Sequence, residues 1–135
     1  MANVPAVLDG VVIRSDSHGM ANLQLGDGSL YVGLQNIAVG SRVRVQLLAR
    51  DIILATEKPH GLSVRNELEG VVTELLPDDY HAVLAKVDIG GATVLSRITL
   101  EAASSLSLRP GSRVWALVKA VSTRGHTFRA PSIKT

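Results

Sequence analysis

Short apolar segments alternate with polar residues along the chain in a way that is typical of β-strands. Within residues 83–89, Val, Ala or Ile occupies every odd position, whereas Lys86 and Asp88 fall between them. One buried sheet face produces this period of two. Glycine turns at residues 26–28 and 90–91 favour hairpins. With about four or five short strands per half and turns every eight to twelve residues or so, the pattern predicts small β-barrels.

The chain is also a degenerate tandem repeat. Residues 8–12, 23–26 and 40–43 recur in the same order as residues 68–72, 87–90 and 111–114. The last block, Gly-Ser-Arg-Val, is identical in both copies, and repeats of this kind define the architecture of a chain. The spacing between copies grows from 60 to 64 to 71 residues, so the second half carries two insertions. The first insertion falls at Pro77-Asp78-Asp79, which predicts a longer hairpin turn.

The second insertion predicts one short helix, present in the second half only. Thr99 can cap its N-terminus, and Glu101 favours its first turn through the helix dipole. Leu100, Ala103 and Leu106 then share one face at helical spacing. We therefore expect an all-β fold of two small barrels with a single helix.

Pro and Gly interrupt the chain at residues 57–61, which predicts the boundary between the halves. The expected division is 1–57 for a divergent first half, 62–123 for the second half and 124–135 for a polar C-terminal tail that frays. A half of about 60 residues buries little surface and is marginal alone. We expect the halves to pack on each other or on a partner chain.

Composition excludes several classes of protein. The chain is 46% hydrophobic, 3% aromatic and free of cysteine, which excludes disulfides and thiolate metal sites and fits a reducing compartment. Neither a signal peptide nor an apolar run of about 18 residues is present, so we expect a soluble cytoplasmic protein. The net charge of +2 favours anions weakly. A nucleic-acid binder would show a denser basic stripe with aromatics.

Catalytic and metal-binding patterns are missing from the sequence. The histidines at 18, 60, 81 and 126 lack ligand spacing, and the acidic pair at 78–79 is typical of a solvated turn. No nucleophile is paired with a base, and no G-x-x-x-x-G-K-[ST] phosphate loop occurs. We expect a binding protein with no catalytic residues, no metal site and no ATP site in this chain.

Candidate anion-binding chemistry lies at the two ends of the second half. Ser63, Arg65 and Asn66 can all donate hydrogen bonds, and Arg65 can present a planar fork. Lys119 lies in an apolar strand and is followed closely by Ser122. Because the first and last strands of a closed barrel are neighbours, these residues would meet at one edge. Many donors and few acceptors suit a divalent tetrahedral oxyanion.

A plainer interpretation of the same residues stays open at this point. Arg65 and Asn66 would then simply flank a strand, with Asn66 bonding to backbone as turn residues often do. Lys119 would point to solvent from the outer face of its strand. Short motifs of this kind carry false positives.

The second half resembles a known family. Residues 63–70 look like the S-x-R-N-x-x-x-G opening of the Mop/TOBE molybdate-binding domains. Thr99 and residues 106–120 look like the second signature of that family, which ends in a K-[AS] element. The first half resembles the divergent barrel that precedes this domain in molybdate-importer ATPases, with residues 50–55 matching its end.

This resemblance implies tandem OB-like barrels that bind molybdate or tungstate at interfaces between barrels or subunits. The residues carried over as oxyanion ligands are Ser63, Arg65, Asn66, Lys119 and Ser122, with Thr99 a weaker candidate. Ser122 is assigned in place of a family serine that would fall at Val121. The implied function is that of a regulatory domain which senses cytoplasmic molybdate for an ABC importer.

The implied partners are a second copy in a homodimer, the transporter ATPase domain and the membrane permease, at the inner face of the cell membrane. The first half lacks the S-x-R-N element, and Leu48 stands where Lys119 stands in the second half. We therefore expect one oxyanion site, not two. Two alternatives are kept, a stand-alone molbindin for molybdate storage and an OB-type nucleic-acid or protein interaction module.

Overall fold

A computed structural model of the chain describes residues 5–119, residue 121 and residues 127–128. The strands are β1 (Pro5–Ser15), β2 (Met20–Leu25), β3 (Gly28–Gly33), β4 (Arg42–Leu48), β5 (Ile52–Ala55), β6 (Asn66–Pro77), β7 (Ala82–Asp88), β8 (Thr93–Thr99), β9 (Arg113–Val118) and β10 (Thr127–Phe128). A 3-10 turn spans Ala49–Asp51, and the helix α1 spans Leu100–Ser105.

The strands form two five-stranded antiparallel sheets. The first sheet has the order β10-β4-β1-β2-β3, and the second has the order β5-β9-β6-β7-β8. Both sheets are curled, so the predicted class of tandem OB-like barrels with one short helix is confirmed. Within the described residues, no helix is long and apolar enough to span a membrane.

Equivalent distortions in the two sheets confirm the sequence repeat. The strand register shifts just after Val12 in β1 and just after Val72 in β6. The Val12 N–H donates to the Ser41 carbonyl at 2.9 Å, and the Val72 N–H donates to the Ser112 carbonyl at 2.8 Å. A bulge bends its strand and increases the local twist. The identical Gly-Ser-Arg-Val blocks therefore serve one structural purpose, which is to receive the bulged strand.

The sheets do not follow the division of the sequence into halves. Strand β5 comes from the first repeat but pairs with β9 in the second sheet, with Ile52 opposite Val118. Strand β10 follows the second repeat but pairs with β4 in the first sheet, with Thr127 opposite Val43. Residues 127–128 of the predicted tail are thus paired with the first sheet, and fraying of the tail stays a prediction. The boundaries at 57 and 62 stay a prediction about domains, while the sheets exchange strands across them.

The halves pack against each other through one hydrophobic cluster. It contains Leu23, Leu30 and Val45 from the first sheet together with Leu68 and Val87 from the second. The turns of hairpins β2–β3 and β7–β8 also touch, since the Asp27 N–H donates to the Ile89 carbonyl at 3.1 Å. A Cβ at Gly26 would lie 2.6 Å from the Gly90 carbonyl oxygen, so this contact needs glycine.

The helix begins where the sequence predicts, but its packing differs. The Thr99 hydroxyl accepts a hydrogen bond from the Ala102 N–H at 3.0 Å and so caps α1. Ala103 is buried, whereas Leu100 and Leu106 are 53% and 37% exposed. The expected apolar face is therefore not buried as a unit, because a six-residue helix presents little more than one side chain to the core. The last strand of the repeat ends at Val118, so Lys119, which the sequence places within an apolar strand, directly follows that strand.

Gly70→Ala should lower the free energy of unfolding by about 1–3 kcal/mol, because an added methyl group forces backbone to move. Its Cβ would lie 2.6 Å from the Asp88 carbonyl oxygen and 2.7 Å from Val87 Cγ1. Gly10→Ala, at the equivalent position of the first half, is the matched control, since its nearest contact is the flexible Leu25 Cδ2 at 3.2 Å. Urea unfolding followed by Trp115 fluorescence measures both. A loss at Gly10 equal to that at Gly70 would contradict the steric argument.

Candidate functional site

A cleft of about 490 Å³ lies where β6 begins and β9 ends. The described residues that line this cationic cleft are Met20, Tyr31, Ile53, Ser63, Val64, Arg65, Asn66, Val118 and Lys119. Four of the residues predicted from the sequence, Ser63, Arg65, Asn66 and Lys119, therefore share one cavity although up to 56 residues separate them in the chain.

Antiparallel pairing brings these side chains together. Asn66 lies opposite Val118 in the β6–β9 ladder, so the residues just before β6 and just after β9 meet at the same edge. The Lys119 N–H donates to the Asp51 carbonyl at 2.9 Å, which continues the pairing of β9 with the neighbouring strand β5. The Lys119 backbone is thus anchored by a segment of the first repeat.

The cationic cleft carries positive charge without a counter-charge. Arg65 and Lys119 are exposed, and neither has an ion-pair partner in the part of the chain that the structure describes. No described lining residue is a carboxylate. An anion entering there would meet two free cations and no like charge, which is the arrangement that favours its charged form.

A second cleft between the halves has the opposite character. Its volume is about 640 Å³, and four carboxylates and one guanidinium line it. These residues are Asp27, Glu67, Glu69, Asp88 and Arg113. Charge is thus segregated between two clefts, so the small net charge of the chain conceals a local concentration of positive charge at Arg65 and Lys119. Among the described residues, no group of three His, Cys, Asp or Glu side chains could hold a metal ion.

The first repeat supplies part of the cationic cleft, which sequence reasoning missed. Met20, Tyr31 and Ile53 line it beside the residues of the second repeat. Tyr31 and Met20 lie on the outward face of the β2–β3 hairpin, and Ile53 lies on the strand that crosses into the second sheet. No motif marks these positions, because they are defined only by how the two sheets pack.

Asn66 bonds to the first sheet. The Tyr31 N–H donates to Asn66 Oδ1 at 2.8 Å, and Asn66 Nδ2 donates to the Tyr31 carbonyl at 3.2 Å. The plainer interpretation of Asn66 as a backbone-binding residue is thus partly right, although its partner is 35 residues away instead of adjacent. A carboxamide nitrogen carries two hydrogens, so one N–H is left for another acceptor.

Tyr31 is held at its other end by Asp16. The Tyr31 hydroxyl donates to Asp16 Oδ2 at 3.1 Å, while Asp16 Oδ1 accepts from the N–H groups of His18 and Met20. The Met20 and His18 N–H groups lower the pKa of Asp16 below 3.8, since they stabilise the carboxylate. The hydrogen bond to Asp16 raises the pKa of Tyr31 above 10.0. The Tyr31 phenol therefore keeps its proton, which points toward the Asp16 carboxylate.

Two predicted ligands are not among the described lining residues. Thr99 lies at the N-terminus of α1, where its hydroxyl caps the helix. Ser122 lies outside the described residues. Their assignment as ligands stays a prediction.

The tandem OB-like fold and its cationic cleft define the class of the protein, a small β-barrel binding module. Residues 62–124 match the family model of the TOBE domain, and this part of the chain belongs to that family. The match covers all four predicted residues that line the cationic cleft.

Two relatives extend the similarity to the first repeat. The molybdenum import ATP-binding protein ModC of Mesorhizobium japonicum is 44% identical over 118 residues, which cover 87% of this chain and 32% of that protein. The ModC protein of Methylococcus capsulatus is 39% identical, over 86% of this chain and 33% of that protein. The chain thus spans about a third of the length of these relatives.

A solved structure agrees in fold. The crystal structure of the cytoplasmic molybdate-binding protein ModG, with molybdate bound, superposes with a TM-score of 0.69 at 25% sequence identity. The superposition covers 87% of this chain and 94% of the ModG chain.

The Asp16–Tyr31 contact gives a pH-dependent prediction. Its contribution to stability is complete between pH 3.8 and 10.0, is lost as the pH falls through the lowered pKa of Asp16, and is lost as the pH rises through the raised pKa of Tyr31. In a Tyr80→Phe background, absorbance at alkaline pH reports Tyr31 alone, because the chain has two tyrosines. Asp16→Ala should lower the pKa of Tyr31, and an unchanged titration would contradict the hydrogen bond.

Proposed function

We propose that this chain is a cytoplasmic oxyanion-binding regulatory domain, which binds molybdate or tungstate for an ABC importer ATPase and so senses intracellular molybdate. The observation that carries the proposal is the cationic cleft. In this cleft the Arg65 and Lys119 side chains lie beside further hydrogen-bond donors, near the paired ends of β6 and β9. No described lining residue is a carboxylate. The TOBE match over residues 62–124 and the ModC and ModG similarities support the same ligand.

Each side chain has a distinct part in holding a doubly charged tetrahedral ion. Arg65 presents a planar fork that can donate to two oxygens at once, whereas Lys119 acts as a compact point charge with three donors. Ser63 contributes a hydroxyl, and Asn66 contributes its remaining N–H. An ion that sheds water there exchanges hydration for charged donors, which offsets the cost of desolvation. Ser122 and Thr99 stay weaker candidate ligands within this proposal.

A partner surface completes the site in this proposal. The cationic cleft, at about 490 Å³, is far larger than a single five-atom oxyanion needs. A second copy of the chain that covers the cleft would supply the missing wall, so we propose a homodimer. The transporter ATPase domain, which would carry the only ATP site and the catalysis, and the permease are the further partners, at the inner face of the membrane.

A stand-alone molybdate-storage protein is the second candidate. The agreement with 94% of the ModG chain favours it, because that cytoplasmic molybdate-binding protein matches this chain almost from end to end. The regulatory proposal calls for Walker motifs in the same open reading frame upstream of residue 1 and for a dimer. Light scattering that finds a higher, ring-like oligomer, with no such motifs upstream, would decide for storage.

Arg65→Ala and Lys119→Ala should each weaken molybdate binding by about 1–3 kcal/mol, because each removes a charge-assisted hydrogen bond. Isothermal titration calorimetry with sodium molybdate, and then with sodium tungstate, measures the effect. A rise in melting temperature on adding molybdate provides an independent check.

The matched control is Lys86→Ala. Lys86 is also a surface cation, but it pairs with Glu74 at 3.3 Å and does not line the cationic cleft. Lys86→Ala changes the net charge by as much as either cleft substitution does, and it should leave the affinity for molybdate unchanged. If both cleft variants bind molybdate as tightly as the unchanged chain does, the proposed site is wrong.

Salt-sensitive DNA or RNA binding without a response to molybdate would favour the nucleic-acid alternative.

A further inference from the structure

The outer edge of β3 is closed by a side chain. Tyr31 lies opposite Asn22 in the β2–β3 ladder, and its N–H and carbonyl groups both bond to Asn66 and not to β2. An edge strand exposes backbone N–H and C=O groups without partners, and a further strand could form hydrogen bonds with them. The Asn66 carboxamide occupies this place with one acceptor and one donor, as a strand residue would.

This contact lies at the wall of the cationic cleft. Asn66 is the first residue of β6 and follows Arg65 directly, while Tyr31 and Met20 form the part of the lining that belongs to the first hairpin. Hairpin β2–β3 and strand β6 belong to different sheets. The two Asn66 hydrogen bonds therefore tie the cation-bearing edge of one sheet to the opposite wall of the cleft.

The tyrosine side chain is held independently. Its hydroxyl donates to Asp16, which is itself bonded to the N–H groups of His18 and Met20 in the β1–β2 turn. With its backbone on Asn66 and its hydroxyl on Asp16, Tyr31 connects the cleft to the β1–β2 turn of the first sheet. A change at Asn66 would thus act on Tyr31 in β3 and, through Asp16, on that turn.

We propose that Asn66, besides donating to the anion, couples the oxyanion site to the first sheet by holding the edge of β3. The coupling rests on the proposed function. Binding of the anion beside Asn66 orders the carboxamide, strengthens its hold on Tyr31 and tightens the β2–β3 hairpin. The first repeat, whose sequence lacks the S-x-R-N element, then serves as the part of the molecule that responds to occupancy.

Amide hydrogen exchange in the full chain tests the coupling directly. Asn66→Ala should speed exchange at the Tyr31 N–H about fivefold or more, the effect of losing one ordinary hydrogen bond. The N–H of Val32, which faces Ala21 within the ladder, is the internal reference and should not change. Saturating sodium molybdate should slow exchange at Tyr31 in the unchanged chain and leave it unchanged in Asn66→Ala. Thr73→Ala, farther along β6, is the control variant.

A second measurement separates positioning from ligand donation. Tyr31→Pro and Tyr31→Ala both remove the ring, but only proline also removes the N–H that donates to Asn66, at an edge where proline is tolerated. Calorimetry should find molybdate binding to Tyr31→Pro about fivefold weaker than to Tyr31→Ala. Equal molybdate affinities of Tyr31→Pro and Tyr31→Ala would overturn the coupling but not the proposed function. The same holds if the unchanged chain binds molybdate and the exchange rate of the Tyr31 N–H does not change. A chain that binds neither molybdate nor tungstate would overturn the proposed function, and the coupling with it.

Discussion

The antiparallel pairing of β6 with β9 is the constraint on which the molecule depends. It joins the first and last long strands of the second repeat, and it sets Asn66 opposite Val118, so the donors before one strand and after the other meet at one edge. A shift of this register by one residue would turn each side chain to the other face of the sheet. The cationic cleft and the burial of Leu68 and Ala116 are therefore consequences of one ladder.

Exchange of strands makes the two repeats interdependent. Strand β5 borders β9 in the second sheet, and β10 borders β4 in the first, so each sheet contains a strand from beyond its own repeat. A barrel of about 60 residues buries little surface by itself, and a shared hydrophobic cluster relieves this limit. The same exchange brings Ile53 into the cationic cleft and anchors the backbone of Lys119 on Asp51.

Charge is distributed to match this architecture. Four carboxylates line the second cleft between the halves, whereas the described lining of the cationic cleft has none. Arg65 and Lys119 are therefore available to an anion. Asp16 stands behind Tyr31, where it orients the phenol by accepting its proton. The two repeats have thus diverged: the second holds the cations, and the first provides a wall and a support.

Local chemistry in the sequence determined the strands, the hairpin turns, the Thr99 helix cap and the convergence of Ser63, Arg65, Asn66 and Lys119. These features follow from periodicity, turn residues and the pairing of the first strand of the repeat with its last, all of which act over short distances or through a single pairing rule. Only the tertiary structure decided that β5 and β10 change sheets, that Leu100 and Leu106 stay exposed, and that Asn66 holds Tyr31. The physical reason is that contacts between sheets depend on how two curved surfaces meet, and no period or motif within a single strand encodes that fit.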